Sequence, residues 1–319
     1  MKDLNVAVIK GGWSHETNEI VTYKEIAQAV KENGWNVSIH DVTDENFVRI
    51  LLKAKPDVAF ITNQGAYGED GKIQGLMEVL GIRYTGSGVC ASAVGMNKFI
   101  CKQVFKGLGI KTPKGRLLTQ SDFSHYERIV DEFNSPFIIK PIMTGSSFGV
   151  HLISTQEDFV RLGNDNLNKY GECLIEEFID GNQIEYSTGI LEDDKDIYEL
   201  PVCQSILLND KLYSYECKFT PSRNKKIIDP CIPEELKREM VSIAKRVHLE
   251  IGCSGLSRTD MILDKKGDIY TFEFNTIPGL LPISIFPQIC KFQGFEYAEM
   301  VRKIILNALN DKRMEISKI

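Results

Sequence analysis

Arg258-Thr259-Asp260-Met261-Ile262-Leu263-Asp264-Lys265-Lys266-Gly267-Asp268-Ile269-Tyr270-Thr271-Phe272-Glu273-Phe274-Asn275 is two alternating runs joined by the turn residues Asp264 to Gly267, the pattern of a β-hairpin. With Leu263 opposite Asp268, the antiparallel register sets Arg258 across from Glu273. Parity then sends Arg258, Asp260, Glu273 and Asn275 to one face, and Met261, Leu263, Tyr270, Phe272 and Phe274 to the other. Two carboxylates and an amide oxygen beside an arginine make an oxygen-rich site suited to Mg2+, which favours carboxylates together with substrate phosphates. The arginine would meet an anionic substrate group. A lone pattern of this kind is more often a half-solvated hairpin face, but Pro278-Gly279 close behind it tips the segment toward function.

Upstream, Gly145-Ser146-Ser147-Phe148-Gly149 follows Lys140 at the end of the apolar run Phe137 to Pro141. A Gly/Ser loop is more often a plain hairpin turn, and this one is not the P-loop pattern. What raises it is Lys140, whose desolvated ammonium needs an anionic partner. Such a loop can fold backbone N–H groups over phosphate oxygens, with Lys98 as a second phosphate ligand. Thr85-Gly86-Ser87-Gly88 lacks the third glycine of a dinucleotide fingerprint and reads as easily as a structural turn. Glu16 lies beyond the C-terminal end of the first strand, where open α/β sheets place ligands.

Strand-like runs alternate with helical patterns in the first third: Asn5 to Ile9, a helix from Tyr23 to Asn33, Asn36 to His40, a helix near Asp44 to Ala54, then Val58 to Thr62. That alternation predicts a parallel sheet covered on both faces. Beyond it, a basic helix carrying Lys98, Lys102 and Lys106 stops at Gly107, and the strands that follow are joined by short turns, a more antiparallel pattern. The expected fold is therefore α/β and α+β in three domains, at residues 1–93, 94–181 and 182–319.

The 319 residues carry 38 Lys and Arg against 44 Asp and Glu, a net charge of −6. That mild acidity leaves no footprint for nucleic acid or anionic membranes. The eight cysteines are scattered with no CxxC pair, and the five histidines form no ligand or triad spacing. With only a short apolar stretch at the N-terminus, a reducing cytoplasm is the expected compartment.

Taken in order, Gly68-Glu69-Asp70-Gly71 with Gln74-Gly75, Tyr84-Thr85-Gly86-Ser87-Gly88 with Ala91-Ser92-Ala93, Lys140-Pro141 with Gly145-Ser146-Ser147, Glu216-Cys217-Lys218, and Glu273-Phe274-Asn275-Thr276-Ile277-Pro278-Gly279 resemble the D-alanine-D-alanine ligase family of ATP-grasp enzymes over nearly the whole chain. The resemblance implies a three-domain ATP-grasp ligase with ATP between the central and C-terminal domains, Mg2+ (or Mn2+) as cofactor, small amino-acid substrates, and a homodimer. It implies that Lys98, Lys140, Glu176 and Glu185 bind ATP, with Glu176 at the adenine, Glu185 at the ribose and Ile179 beside the adenine. Lys218 and Ser147 would touch phosphates, and Asp260, Glu273 and Asn275 would hold the metal. Glu16 and Ser146 would position the first amino acid and its attacking partner, Arg258 and the Gly279 N–H would stabilise the tetrahedral intermediate, and Ser284 with Lys218 would fix the second carboxylate. The polar segment Thr220 to Lys226 would close over the site.

Three positions depart from the family pattern, all in the amino-acid subsites. Phe219 replaces the Tyr that follows the phosphate-contacting Lys, as in members that make D-alanyl-D-lactate. Gln64 replaces a His, so a neutral amide would hold the first carboxylate, and the stretch after Glu16 is altered. Besides D-alanyl-D-alanine synthesis for peptidoglycan, the sequence admits two further readings. One is the same mechanism with D-lactate, D-serine or another amino-acid pair. The other is a nucleotide-binding protein without turnover, against which the retention of Arg258, Asp260, Glu273 and Asn275 counts.

Overall fold

A computed structural model of the chain describes residues 3–12, 21–208 and 223–314. Among them three sheets succeed one another along the sequence. The first is parallel, in the order β2-β1-β3, from β1 (Asn5–Lys10), β2 (Asn36–Asp41) and β3 (Val58–Ile61). The inner strand β1 and its neighbour β3 are apolar at successive positions because both of their faces are covered. Val6, Val8, Val58 and Phe60 pack on one side with Ile26 and Val30 of α1 (Thr22–Glu32) and with Val301, Ile304 and Ile305 of the helix Tyr297–Asn310. Ala7, Ile9, Ala59 and Ile61 pack on the other with Phe47 and Leu51 of α2 (Phe47–Ala54) and Ile73 and Met77 of α3 (Lys72–Leu80). The alternation expected from sequence is thus present. The α2 helix begins at Phe47 rather than Asp44, because the Asp44 side chain instead accepts from the Asn46 N–H in a local turn.

The basic helical stretch is broken in two, α4 (Val89–Met96) and α5 (Lys98–Gly107), at Asn97, whose side chain caps α5 by accepting from the N–H groups of Phe99 and Ile100. The second sheet is antiparallel, in the order β4-β7-β5-β6: β4 (Gly115–Leu117), β7 (Cys173–Glu177), β5 (Phe137–Pro141) and β6 (His151–Ile153). Helices α6 (Tyr126–Phe133) and α7 (Gln156–Tyr170) close one face of it over Phe133, Phe137, Ile139, Phe159 and Ile175.

The third sheet runs β11-β10-β8-β12-β13, with β9 on β8. Its strands are β8 (Ile184–Glu192), β9 (Ile197–Glu199), β10 (Cys203–Leu207), β11 (Asn224–Ile228), β12 (Leu256–Leu263) and β13 (Ile269–Asn275). The hairpin register differs from the expected one. Leu263 pairs with Ile269, a bulge falls between Asp260 and Met261, and beyond it Asp260 faces Glu273 while Arg258 faces Asn275. Met261, Leu263 and Phe274 do pack into cores, but the extra residue flips the start of β13. Ile269 and Thr271 go inward, and Phe272, expected on the apolar face, lines the cleft described below. Of the polar segment expected to close over the site, Asn224–Lys226 belong to β11, paired with β10; the residues before Arg223 lie outside those described.

The cysteines are free among the described residues, and Cys101, Cys173, Cys203 and Cys290 are buried. Burial pushes the Cys101 thiol up to about 12, so it behaves as a small apolar group. Among the described residues no helix is long and apolar enough to cross a membrane.

Candidate active site

A cleft of about 570 Å³ opens between the second and third sheets. Lys98, Lys140, Ser147, Glu176 and Ile179 line it from one side, and Glu185, Arg258, Asp260 and Glu273 from the other. Asn275 adjoins it through its bond to Asp260. Glu16, Lys218 and Phe219 lie outside the described residues.

Glu176 is the most enclosed charge of the cleft. It alternates inward on the central strand β7, 3% exposed, where its two carboxylate oxygens accept from two lysines: Oε1 from Lys140 Nζ at 2.6 Å and Oε2 from Lys102 Nζ at 2.5 Å. Burial pushes its carboxyl up, but the two ammonium groups outweigh that and hold it below the ordinary carboxylate range. Lys102 is drawn down by burial, with Glu176 opposing. One carboxylate against two ammonium groups leaves net positive charge at the cleft wall, suited to a polyphosphate. Lys98 is also buried rather than a solvated helix charge, and its Nζ donates to the Thr144 carbonyl.

The Gly/Ser loop joins β5 to β6 directly above Lys140. Ser146 (φ 49°), Ser147 (φ 60°) and Gly149 (φ 71°) all adopt left-handed backbone, which turns successive N–H groups toward a common side. For the two serines that conformation costs on the order of 1 kcal/mol each, a strain that collects at ligand sites. Thr144 Oγ1 donates to the Phe148 carbonyl at 3.1 Å and the Phe148 N–H to the Gly145 carbonyl at 3.1 Å, holding the loop in that shape.

Asp260 is the hub of the opposite wall. Oδ1 accepts from Ser187 Oγ at 2.6 Å and Arg258 Nε at 2.8 Å, and Oδ2 accepts from Arg258 Nη2 at 2.7 Å and Asn275 Nδ2 at 3.0 Å. The two-pronged pairing fixes the plane of the guanidinium at the cleft. With its amide nitrogen on Asp260, Asn275 keeps its carbonyl oxygen as a donor atom for a cation. Among the described residues no group of three or more His, Cys, Asp or Glu side chains forms that could hold a metal. A cation here would rest on the Asp260 and Glu273 carboxylates, the Asn275 amide oxygen and substrate oxygens, all hard donors, and this set fits Mg2+.

Past β13, the backbone brings together three of the expected substrate residues. A Cβ at Gly279 would lie 3.0 Å from Ser284 Oγ and 3.7 Å from Gln64 Nε2. The Gly68-to-Gly75 motif, by contrast, is spent on its own turn. Asp70 accepts from the N–H groups of Tyr67 and Lys72, Gln74 Nε2 donates to the Gly68 carbonyl, and Gly71 takes φ 89° against the Val89 carbonyl. Thr85 to Gly88 are likewise structural: Thr85 Oγ1 accepts from the Ile61 N–H, Ser87 Oγ from the Ser254 N–H, and the Gly86 carbonyl from Arg313.

Sequence reasoning missed Ser187, Phe272 and the role of Lys102. Ser187 meets Asp260 because β8 pairs with β12 across 73 residues of sequence, and no local pattern marks that partnership. Phe272 needed the bulge. Lys102 did leave a signal, since it falls one helical turn after Lys98 on the same face.

Two antiparallel sheets gripping a cleft with lysines on one wall and an Arg, two carboxylates and an Asn on the other define the protein as an ATP-grasp ligase. Residues 10–87 match the family model described as D-ala D-ala ligase N-terminus, and residues 104–306 the one described as D-ala D-ala ligase C-terminus. A D-alanine–D-alanine ligase from Wolbachia pipientis subsp. Culex pipiens is 36% identical over 313 residues, covering 97% of this chain and 95% of the relative. One from Geotalea uraniireducens is 33% identical, covering 97% and 96%. Among solved structures, D-alanine–D-alanine ligase from Bacillus anthracis complexed with ATP superposes with a TM-score of 0.81 at 26% identity, covering 98% of this chain and 99% of that one. The chain belongs to the D-alanine–D-alanine ligase family.

Proposed function

We propose that this protein joins two molecules of D-alanine with ATP, forming D-alanyl-D-alanine, ADP and phosphate, and serves peptidoglycan synthesis. The observation that carries the reading is the facing of Lys98, Lys140 and Glu176 with Arg258, Asp260 and Glu273 across one cleft, in a chain of this family. The relatives above are named for D-alanine on both sides, which favours it over D-lactate, D-serine or another pair as acceptor, and over a protein without turnover.

A carboxylate is a poor electrophile, so the γ-phosphoryl group is first transferred to the carboxylate of one D-alanine, giving an acyl phosphate and ADP. Lys98, Lys140, Ser147 and Lys218 hold the phosphates, while Glu176 meets the adenine, Ile179 packs beside it and Glu185 reaches the ribose. Asp260, Glu273 and Asn275 would hold Mg2+, which when bound would supply charge neutralisation on the phosphates. Glu16, Ser146 and Gln64 position the first D-alanine, and Ser284 with Lys218 fixes the carboxylate of the second. The amine of the second attacks the acyl carbon, and phosphate leaves. Arg258, oriented by Asp260, and the Gly279 N–H stabilise the oxyanion, where preorganised donors have their largest effect. The reading includes a cytoplasmic homodimer, with domains at 1–93, 94–181 and 182–319.

Coupled ADP release with Mg2+, ATP and D-alanine, alone and with D-lactate or D-serine, tests it when products are identified by mass spectrometry. D-alanyl-D-alanine as the main product is expected. ADP release only with a different carboxylate and amine pair would remove D-alanine as the substrate while leaving the ATP-grasp chemistry.

A further inference from the structure

We propose that Lys102 is a positioning residue for nucleotide selection: from beneath the cleft it holds Glu176 as an ionised, fixed acceptor for an exocyclic amine on the base, and so favours adenine over a 6-oxo purine. The inference rests on the reading of the cleft as an ATP site with Glu176 at the base.

Lys102 is 1% exposed and lies behind the residues that line the cleft. Its Nζ donates to Glu176 Oε2 at 2.5 Å and to Thr112 Oγ1 at 3.1 Å. Lys140 holds the other oxygen, Oε1, but Lys140 itself faces the cleft. Bound phosphates would draw on the charge of Lys140, whereas Lys102 is out of their reach and keeps its charge on Glu176. An ionised carboxylate can only accept hydrogen bonds. A 6-amino purine offers it a donor; a 6-oxo purine offers a lone pair and is repelled. A carboxyl left buried without Lys102 would take up a proton more readily and could then donate to the 6-oxo group, erasing the distinction.

The strand opposite is shaped around this lysine. Gly115 on β4 pairs directly with Glu176, and a Cβ there would fall 2.9 Å from Lys102 Cε and 3.1 Å from the Ile175 carbonyl. A side chain at that position would displace the stem that brings the ammonium to Glu176.

The test is equilibrium binding of ATP and of inosine triphosphate, its 6-oxo counterpart, to the full chain, to Lys102→Met and to Gly115→Ala. Loss of one charge-assisted bond that fixes the acceptor should weaken ATP binding by about tenfold and shrink the ATP preference by about as much in Lys102→Met. A smaller shift in the same direction is expected for Gly115→Ala, which keeps the lysine and stands in if Lys102→Met does not fold. Variants that are less stable yet keep the unaltered ratio of ATP to inosine triphosphate affinity would overturn the role of Lys102. An unmodified protein that binds neither nucleotide would instead sink the ATP reading, and this inference with it.

Discussion

Replacing Glu176 by Gln removes the negative charge that lies between two buried ammonium groups while changing almost no volume. Lys102 is 1% exposed and Lys140 5%, so neither can recover its hydration without opening the fold. Removing one partner of a buried ion pair costs about 3–5 kcal/mol, a large share of the ~5–15 kcal/mol that holds a typical protein folded. The deficit should depend on pH in a definite sense. With its counter-charge gone, Lys102 has a folded-state pKa well below that of the unfolded chain, about 10.4. Below the folded value both states carry the proton and the full penalty is felt. As pH rises from there toward the unfolded value, the folded lysine has already lost its proton and the deficit shrinks. Urea unfolding of the unmodified and Glu176→Gln proteins at several values between about pH 7 and 10 measures it. Adding Lys102→Met to Glu176→Gln removes one of the stranded charges, so the double variant should regain stability, with a coupling of about 2–3 kcal/mol. A loss under about 1 kcal/mol, or one that is flat with pH, would mean that water reaches the triad and that these charges are not buried in solution.

Three further outcomes follow from the opposite wall and the acceptor side. Arg258→Lys keeps the charge but loses the paired bonds to Asp260, so ADP release with D-alanine should slow by about 100-fold, while the KM for ATP moves little. Asp260→Asn removes the hub that Ser187, Arg258 and Asn275 share; the Mg2+ concentration needed for half-maximal ADP release should rise by at least about tenfold, and an unchanged Mg2+ titration would take Asp260 out of the metal site. Phe219→Tyr should leave D-alanine as acceptor and lower any turnover with D-lactate, read from the ratio of amide to ester product; an unchanged ratio would make Phe219 a neutral replacement.

Much of this protein is legible in its sequence. The apolar runs of β1 and β3 are continuous because both faces of that sheet are buried, and continuity is a local property. The turn at Asp264 to Gly267 announced the hairpin, and Lys140 with the Gly/Ser loop announced an anion site, because turn chemistry and a charge ending an apolar strand are written in neighbouring residues. What the local pattern left open depends on partners distant in sequence. A single extra residue at the Asp260/Met261 bulge inverts parity for everything beyond it, which brought Phe272 into the cleft and set Glu273 opposite Asp260. Ser187 reaches Asp260 only through the pairing of β8 with β12, and Lys102 reaches Glu176 only because α5 packs under β4 and β7 at Gly115. Neighbouring residues were enough to set which elements form and which chemical groups the site contains. Which of those groups touch was decided by packing, since hydrogen bonds and ion pairs act over about 3 Å and the lysine and glutamate joined beneath the cleft lie 74 positions apart.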